Sequence, residues 1–290
     1  MSDSIYPPEM PAPEPHLMPV APSPDNPPYS LGSAVLLWVA VTLMLFVIST
    51  IGGLAYMFAV HGTDIERLRK FAVSIAENPN FDPNFILANL VLISPMHLLQ
   101  IGLAWCLVTG FGKRPFWSTL GWHWSKNFGM VASILAAVGL LVVGLSISYL
   151  IGGDETQLDQ IIKSSTGARL TIAFAAAVTA PLAEEVVYRG VLFPAMQRRT
   201  GTLWAVVVVS TLFTLVHVFQ YYNNIGVITA VGILSLAITM VRAYSGSLLP
   251  CFAIHTIFNS IQAVFIVFQP YLPQTDEATK TGFHLFSRLL

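Results

Sequence analysis

Residues 170–193 read LTIAFAAAVTAPLAEEVVYRGVLF, and this stretch decides what kind of chain it is. A predominantly apolar run from Leu170 to Ala183 is long enough to enter a bilayer, and Val191, Leu192 and Phe193 resume it. Between them stand three charged side chains, Glu184, Glu185 and Arg189. An ionised group at bilayer depth costs at least a few kcal/mol, so such residues face a protein interior or a cavity and mark a site.

Outward from that stretch the rest of the chain has the same character. Of its 290 residues 54% are hydrophobic and 10% are charged, and the mean hydropathy is +0.68. That composition defines an all-α polytopic membrane helix bundle, with about 20 residues needed for each crossing. Seven stretches qualify: Ser33–Val60, Phe85–Gly110, Phe128–Ile151, Leu170–Arg189 with a continuation toward Gln197, Trp204–Phe219, Ile225–Ala243 and Leu248–Phe268. The fifth is short, and a catalytic cavity is expected among the later spans. A net charge of -1 gives no basic surface for nucleic acid. Cys106 and Cys251 fall in separate apolar runs and read as packing residues.

Residues 1–30 carry ten of the 19 prolines, four acids and no Lys or Arg. They lack the basic and apolar regions of a secretory signal and read as a disordered, Pro-rich arm. Residues 31–165 hold the N-terminal spans, 166–269 the polar constellation, and 270–290 a C-terminal tail. Lys113, Arg114, Lys126, Arg198, Arg199 and Arg242 fall on the N-terminal side of the bundle. Arg67, Arg69, Lys70, Lys163, Arg169, Lys280 and Arg288 fall on the other. That near-even division does not choose an orientation by the positive-inside rule; the first set is read as cytoplasmic. The tryptophan-rich loop Gly112–Trp124 reads as an interfacial anchor.

Helical phase separates the charges of the fourth span. Residues four apart share a face, so Glu185 and Arg189 are placed to pair, and Glu184 lies about 140° from Arg189. One carboxylate is thus supporting and the other free to work. Two further helices bring His217, and His255 with Asn259. At about 1.5 Å rise per residue, Glu184 and His217 each lie about 20 Å in from the N-terminal side, and His255 and Asn259 about 10 and 16 Å. One depth band therefore holds Glu184, His217, His255 and Asn259. A carboxylate with an imidazole can deprotonate water, and a second imidazole with a carboxamide can donate to an oxyanion. The alternative use of Glu184, His217 and His255 is to hold zinc, although the H-E-x-x-H pattern is absent. His97, beside Pro95 and Gln100, reads as a helix–helix hydrogen-bond partner. Pro181, Gly190 and Pro194 are expected to loosen the helix around the charges.

The series Glu184-Glu185-x-x-x-Arg189, Phe213-x-x-x-His217 and His255-x-x-x-Asn259 on successive apolar helices resembles the CPBP intramembrane proteases. That family takes in type II CAAX prenyl endopeptidases and bacteriocin-processing or self-immunity proteins, the ABI domain. The resemblance covers roughly Leu170 to Phe268. It implies Glu184 as the carboxylate that activates water, assisted by His217, with His255 and Asn259 on the oxyanion side and Glu185 and Arg189 in support. It implies a membrane-associated or lipidated polypeptide substrate, a multi-pass protein of a bacterial plasma (inner) membrane, and either zinc or no metal. The competing expectation is a non-proteolytic scaffold or immunity protein of the same fold. A proton-coupled transporter would need repeated halves, which the sequence lacks.

Overall fold

A computed structural model describes residues 26–78 and 82–271. The arm expected over residues 1–30 and the tail over 270–290 lie almost wholly outside the described residues. All seven expected spans form helices of crossing length: Leu31–His61, Pro83–Thr109, Met130–Ile151, Thr166–Thr200, Thr202–Tyr221, Ile225–Ser245 and Leu249–Phe268. The fifth has 20 residues and is not short; its polar ends, Thr202 and Tyr221, hid its length. Large apolar side chains such as Leu36, Phe46, Val131 and Leu150 stand on the outside of the first and third spans. This is the lipid-facing surface that an integral multi-pass membrane protein requires.

The sixth span is the most enclosed, with half of its apolar window buried, and it packs against the third, fifth and seventh. The first and second spans also pack on the fourth. Both cysteines are free thiols, Cys251 buried in the core. Two amphipathic helices connect spans where no helix was expected, because each is too short and polar to read as one. Ile65–Glu77 follows the first span, capped by Asp64, and inserts Phe71 against Tyr56 and Phe85. Gln157–Ser164 precedes the fourth and starts from a Thr156–Asp159 capping box. The tryptophan-rich loop is partly core: Leu120 is fully buried, Gly121 O accepts the Leu248 amide, and Trp122 packs on Phe252. Trp117 and Trp124 remain exposed, as an interfacial segment would have them.

The fourth span is continuous, yet its hydrogen-bond register changes twice. Ala175–Thr179 and Val186–Leu192 are π-helical, so amides reach back five residues: Ala180 N–H to Ala175 O, and Phe193 N–H to Tyr188 O. The next amide of each series would belong to Pro181 and to Pro194, and proline has none. Two carbonyls are thereby released, Ala176 O and Arg189 O. Each finds a donor from another helix, since an orphaned carbonyl is costly in a membrane interior. Asn259 Nδ2 donates to Ala176 O at 3.0 Å, and Arg242 Nε to Arg189 O at 3.1 Å. Tyr29 Oη closes the second opening by donating to Gly190 O at 3.2 Å and Val191 O at 3.4 Å.

Arg242 was expected as a charge at the membrane edge. It is 1% exposed, drawn inward by the freed carbonyl and by the Phe193 ring, 5.8 Å from its guanidinium carbon. Arg198 is nearer the expected position, where it holds Pro27 O at 2.8 Å and Tyr29 O at 2.7 Å and so ties the segment before the first span to the end of the fourth. Replacing Arg242 by Met removes a charged-donor hydrogen bond and leaves Arg189 O unmet. The expected loss is about 1.5–3 kcal/mol, read as a lowered thermal midpoint in detergent, whereas Lys at this position recovers part of it.

Candidate active site

The fourth span carries the charges where helical phase put them. Glu185 and Arg189 are both fully buried, with Arg189 Nη1 2.9 Å from Glu185 Oε1. The rest of the guanidinium is satisfied by the sixth span: Nη2 donates to Ser235 Oγ and Ser235 O at 2.8 and 3.0 Å, and Nε to Thr239 Oγ1 at 3.1 Å. Phe213 of the fifth span lays its ring 4.6 Å from the guanidinium carbon. Ser235, Thr239 and Arg242 were not expected as site supports, although their i, i+4, i+7 spacing in an apolar span was a usable signal.

His255 joins this network from the seventh span. Its Nδ1 lies 2.8 Å from Glu185 Oε1, and because a carboxylate accepts, Nδ1 carries the proton. Its Nε2 is 3.7 Å from Glu184 Oε2. The imidazole thus stands between the two carboxylates, bonded to the buried one and near the other. Glu184 itself has 24% of its side chain exposed, against none for Glu185. The two neighbouring acids are therefore divided between wall and lumen.

His217 Nδ1 lies 2.7 Å from Phe213 O. A carbonyl only accepts, so this ring also carries its proton on Nδ1, and Nε2 is the free lone pair. Phe213 and Tyr221 flank the ring in parallel, at centroid distances of 4.5 and 6.4 Å, which limits its rotation. Asn259 is tied through one amide N–H to Ala176 O, leaving its second N–H and its Oδ1 for other partners.

Glu184, His217, His255 and Asn259 all line one cavity of about 380 Å³. The walls are mostly apolar and extend further than the fourth, fifth and seventh spans expected. Leu45 and Ile48 come from the first span, Met96 and His97 from the second, and Leu158 and Ile161 from the amphipathic helix before the fourth. The size suits several side chains of a bound chain or a comparable apolar group. His97 makes the interhelical bond expected of it, Nδ1 to Thr179 Oγ1 at 2.9 Å. It also lines the cavity, which was not foreseen.

Among the described residues no group of three or more His, Cys, Asp or Glu side chains is placed to hold a metal ion. Glu184, His217 and His255 line the cavity without forming such a ligand set in this arrangement.

Fold and site together define a polytopic helical membrane protein with a buried Glu/His centre opening on an apolar cavity. Residues 166–261, about a third of the chain, match the family model described as Rce1-like, type II CAAX prenyl endopeptidase Rce1-like. The matched segment contains every residue of the three motifs, and it supports the resemblance to the CPBP family. No match was found among curated proteins or solved structures. The family supports CAAX-type intramembrane endopeptidase activity in general terms, and with it a polypeptide substrate at the membrane.

Because Glu185 and Arg189 are buried together, removing either alone leaves an uncompensated charge. Arg189→Leu is expected to cost about 3–5 kcal/mol, and Glu185→Leu/Arg189→Leu less than that single change. Thermal unfolding in detergent micelles compares the two; a double variant less stable than Arg189→Leu contradicts this account.

Proposed function

We propose that this protein is an intramembrane endopeptidase that hydrolyses peptide bonds of membrane-associated polypeptides, prenylated CAAX-type chains among them, with water activated by Glu184 and His217. The convergence of Glu184, His217, His255 and Asn259 on one apolar-walled cavity carries this reading. Glu184 suits the base because it alone of the paired acids reaches the lumen and is not neutralised by Arg189.

In this scheme a water lies between the Glu184 carboxylate and His217 Nε2. Glu184 takes its proton as the oxygen adds to the scissile carbonyl carbon. Asn259 uses its second N–H to donate to the resulting oxyanion, and His255 donates from Nε2 when its ring holds both protons. The C–N bond then breaks, and Glu184 returns the proton to the departing amine. Glu185 acts through His255, whose Nδ1 it holds, and Arg189 acts through Glu185. Preorganisation is supported by the sixth span, because Ser235 and Thr239 fix the guanidinium that fixes Glu185.

Purified protein incubated with membrane peptides, farnesylated and unmodified, tests the assignment. Glu184→Ala and His217→Ala are each expected to lower the cleavage rate by about 10²–10⁴-fold while the protein remains folded. Cleavage that survives both substitutions sinks the assignment. Absence of cleavage by wild type across a broad peptide set favours a peptide-binding scaffold.

A further inference from the structure

A hydrolase inside a bilayer has to keep water beside its base while an apolar substrate fills the cavity. A second, smaller hollow of about 60 Å³ adjoins the main cavity, and Glu184 and His217 line both. Its other polar walls are Thr42 of the first span, His97 and Gln100 of the second, and Tyr188 of the fourth. A hollow of this size holds one to a few waters, and a buried water needs two to four polar partners.

The existing hydrogen bonds leave those partners available. Thr179 Oγ1 lies 3.4 Å from Ala175 O and 2.9 Å from His97 Nδ1. The contact with Thr179 occupies Nδ1 in either tautomer and leaves His97 Nε2 for another partner. Gln100 Nε2 donates to Val41 O at 3.3 Å, which fixes the amide and leaves Oε1 as its acceptor side. His217 Nε2 is free in the same sense, since Nδ1 is spent on Phe213 O. One small hollow therefore collects a carboxylate, two imidazoles each with Nε2 uncommitted and one amide carbonyl. Pairing helices would need only His97 Nδ1, and it does not account for this collection.

We propose that this hollow is the hydration site of the reaction, holding the hydrolytic water and its replacement beside Glu184, with His97 and Gln100 as water-positioning residues. The inference rests on the endopeptidase reading. Substrate and water then reach Glu184 by different routes, and a chain filling the large cavity does not dry the base.

The test reads water and turnover separately. Brief synchrotron pulses generate hydroxyl radicals from water in place, in protein held in nanodiscs without substrate. Tyr188, 6% exposed, is expected to be labelled despite its burial. Thr42→Leu, which grows into the hollow but leaves His97 untouched, is expected to reduce that labelling several-fold. In cleavage assays Thr42→Leu, Gln100→Leu and His97→Leu are expected to lower kcat about tenfold to a hundredfold with KM little changed, and His97→Gln to recover part of the loss. The solvent deuterium isotope effect on kcat should change in the same variants, which a merely structural loss would not do. An unlabelled Tyr188 in wild type, or full kcat in Thr42→Leu and His97→Leu, overturns the proposal. Cleavage that survives both Glu184→Ala and His217→Ala, with Tyr188 still labelled, overturns the assignment of the base and leaves only a hydrated hollow beside Glu184.

Discussion

Everything in the second half of this bundle depends on keeping Glu185 and Arg189 ionised together inside a membrane. Neither side chain is exposed at all, and a lone charge there would cost several kcal/mol. The fourth span supplies the pair, but the sixth span supplies the hydroxyls and carbonyl that complete the guanidinium, and the fifth supplies Phe213. Through the same carboxylate oxygen the pair also holds His255 of the seventh span. One buried charge pair thereby fixes the relative rotation of four helices. The partly exposed Glu184 is freed by that arrangement, because the cation beside it is fully engaged elsewhere.

The prolines of the fourth span serve the same end by a different route. A helix without breaks consumes its own carbonyls and offers its neighbours only side chains. Pro181 and Pro194 each withhold one amide just after a π-helical turn, and the two released carbonyls become attachment points for Asn259 and Arg242. Asn259 is therefore oriented by a defect in the helix that bears Glu184. The bond to Ala176 O holds Asn259 in place on the cavity wall.

Much of this was legible in the sequence, for reasons that show where legibility ends. Span number and order follow from hydropathy, which is additive along the chain. The Glu185–Arg189 pair follows from helical phase over a single turn, too short for error to accumulate. Matched depth brought Glu184, His217, His255 and Asn259 to one band, but depth is one coordinate. It says nothing of rotation, so the bond from His255 to Glu185 was not foreseen. The π turns add a further phase shift that no regular periodicity contains. Arg242 was misplaced, and the second role of His97 missed, for a shared reason: each was given a single role, as an edge charge and as a helix–helix hydrogen-bond partner. Arg242 is explained by a carbonyl that Pro194 releases, and His97 by the cavity wall it completes; neither is visible in one residue's neighbours.

The π turns also constrain how this span can change by insertion and deletion. Each amounts to one residue beyond an α-helical count, and restoring the count would turn the following residues by about 100° and draw them about 1.5 Å along the axis. Losing one residue within Ala175–Thr179 would re-aim Glu184 relative to everything before it, while losing one within Val186–Leu192 would part Glu185 from Arg189 or Arg189 from Arg242. Most membrane helices tolerate a change of length by sliding or tilting. In this one the tally of residues between Phe174 and Phe193 is itself a functional coordinate, so the gain or loss of a single residue there acts on the site directly.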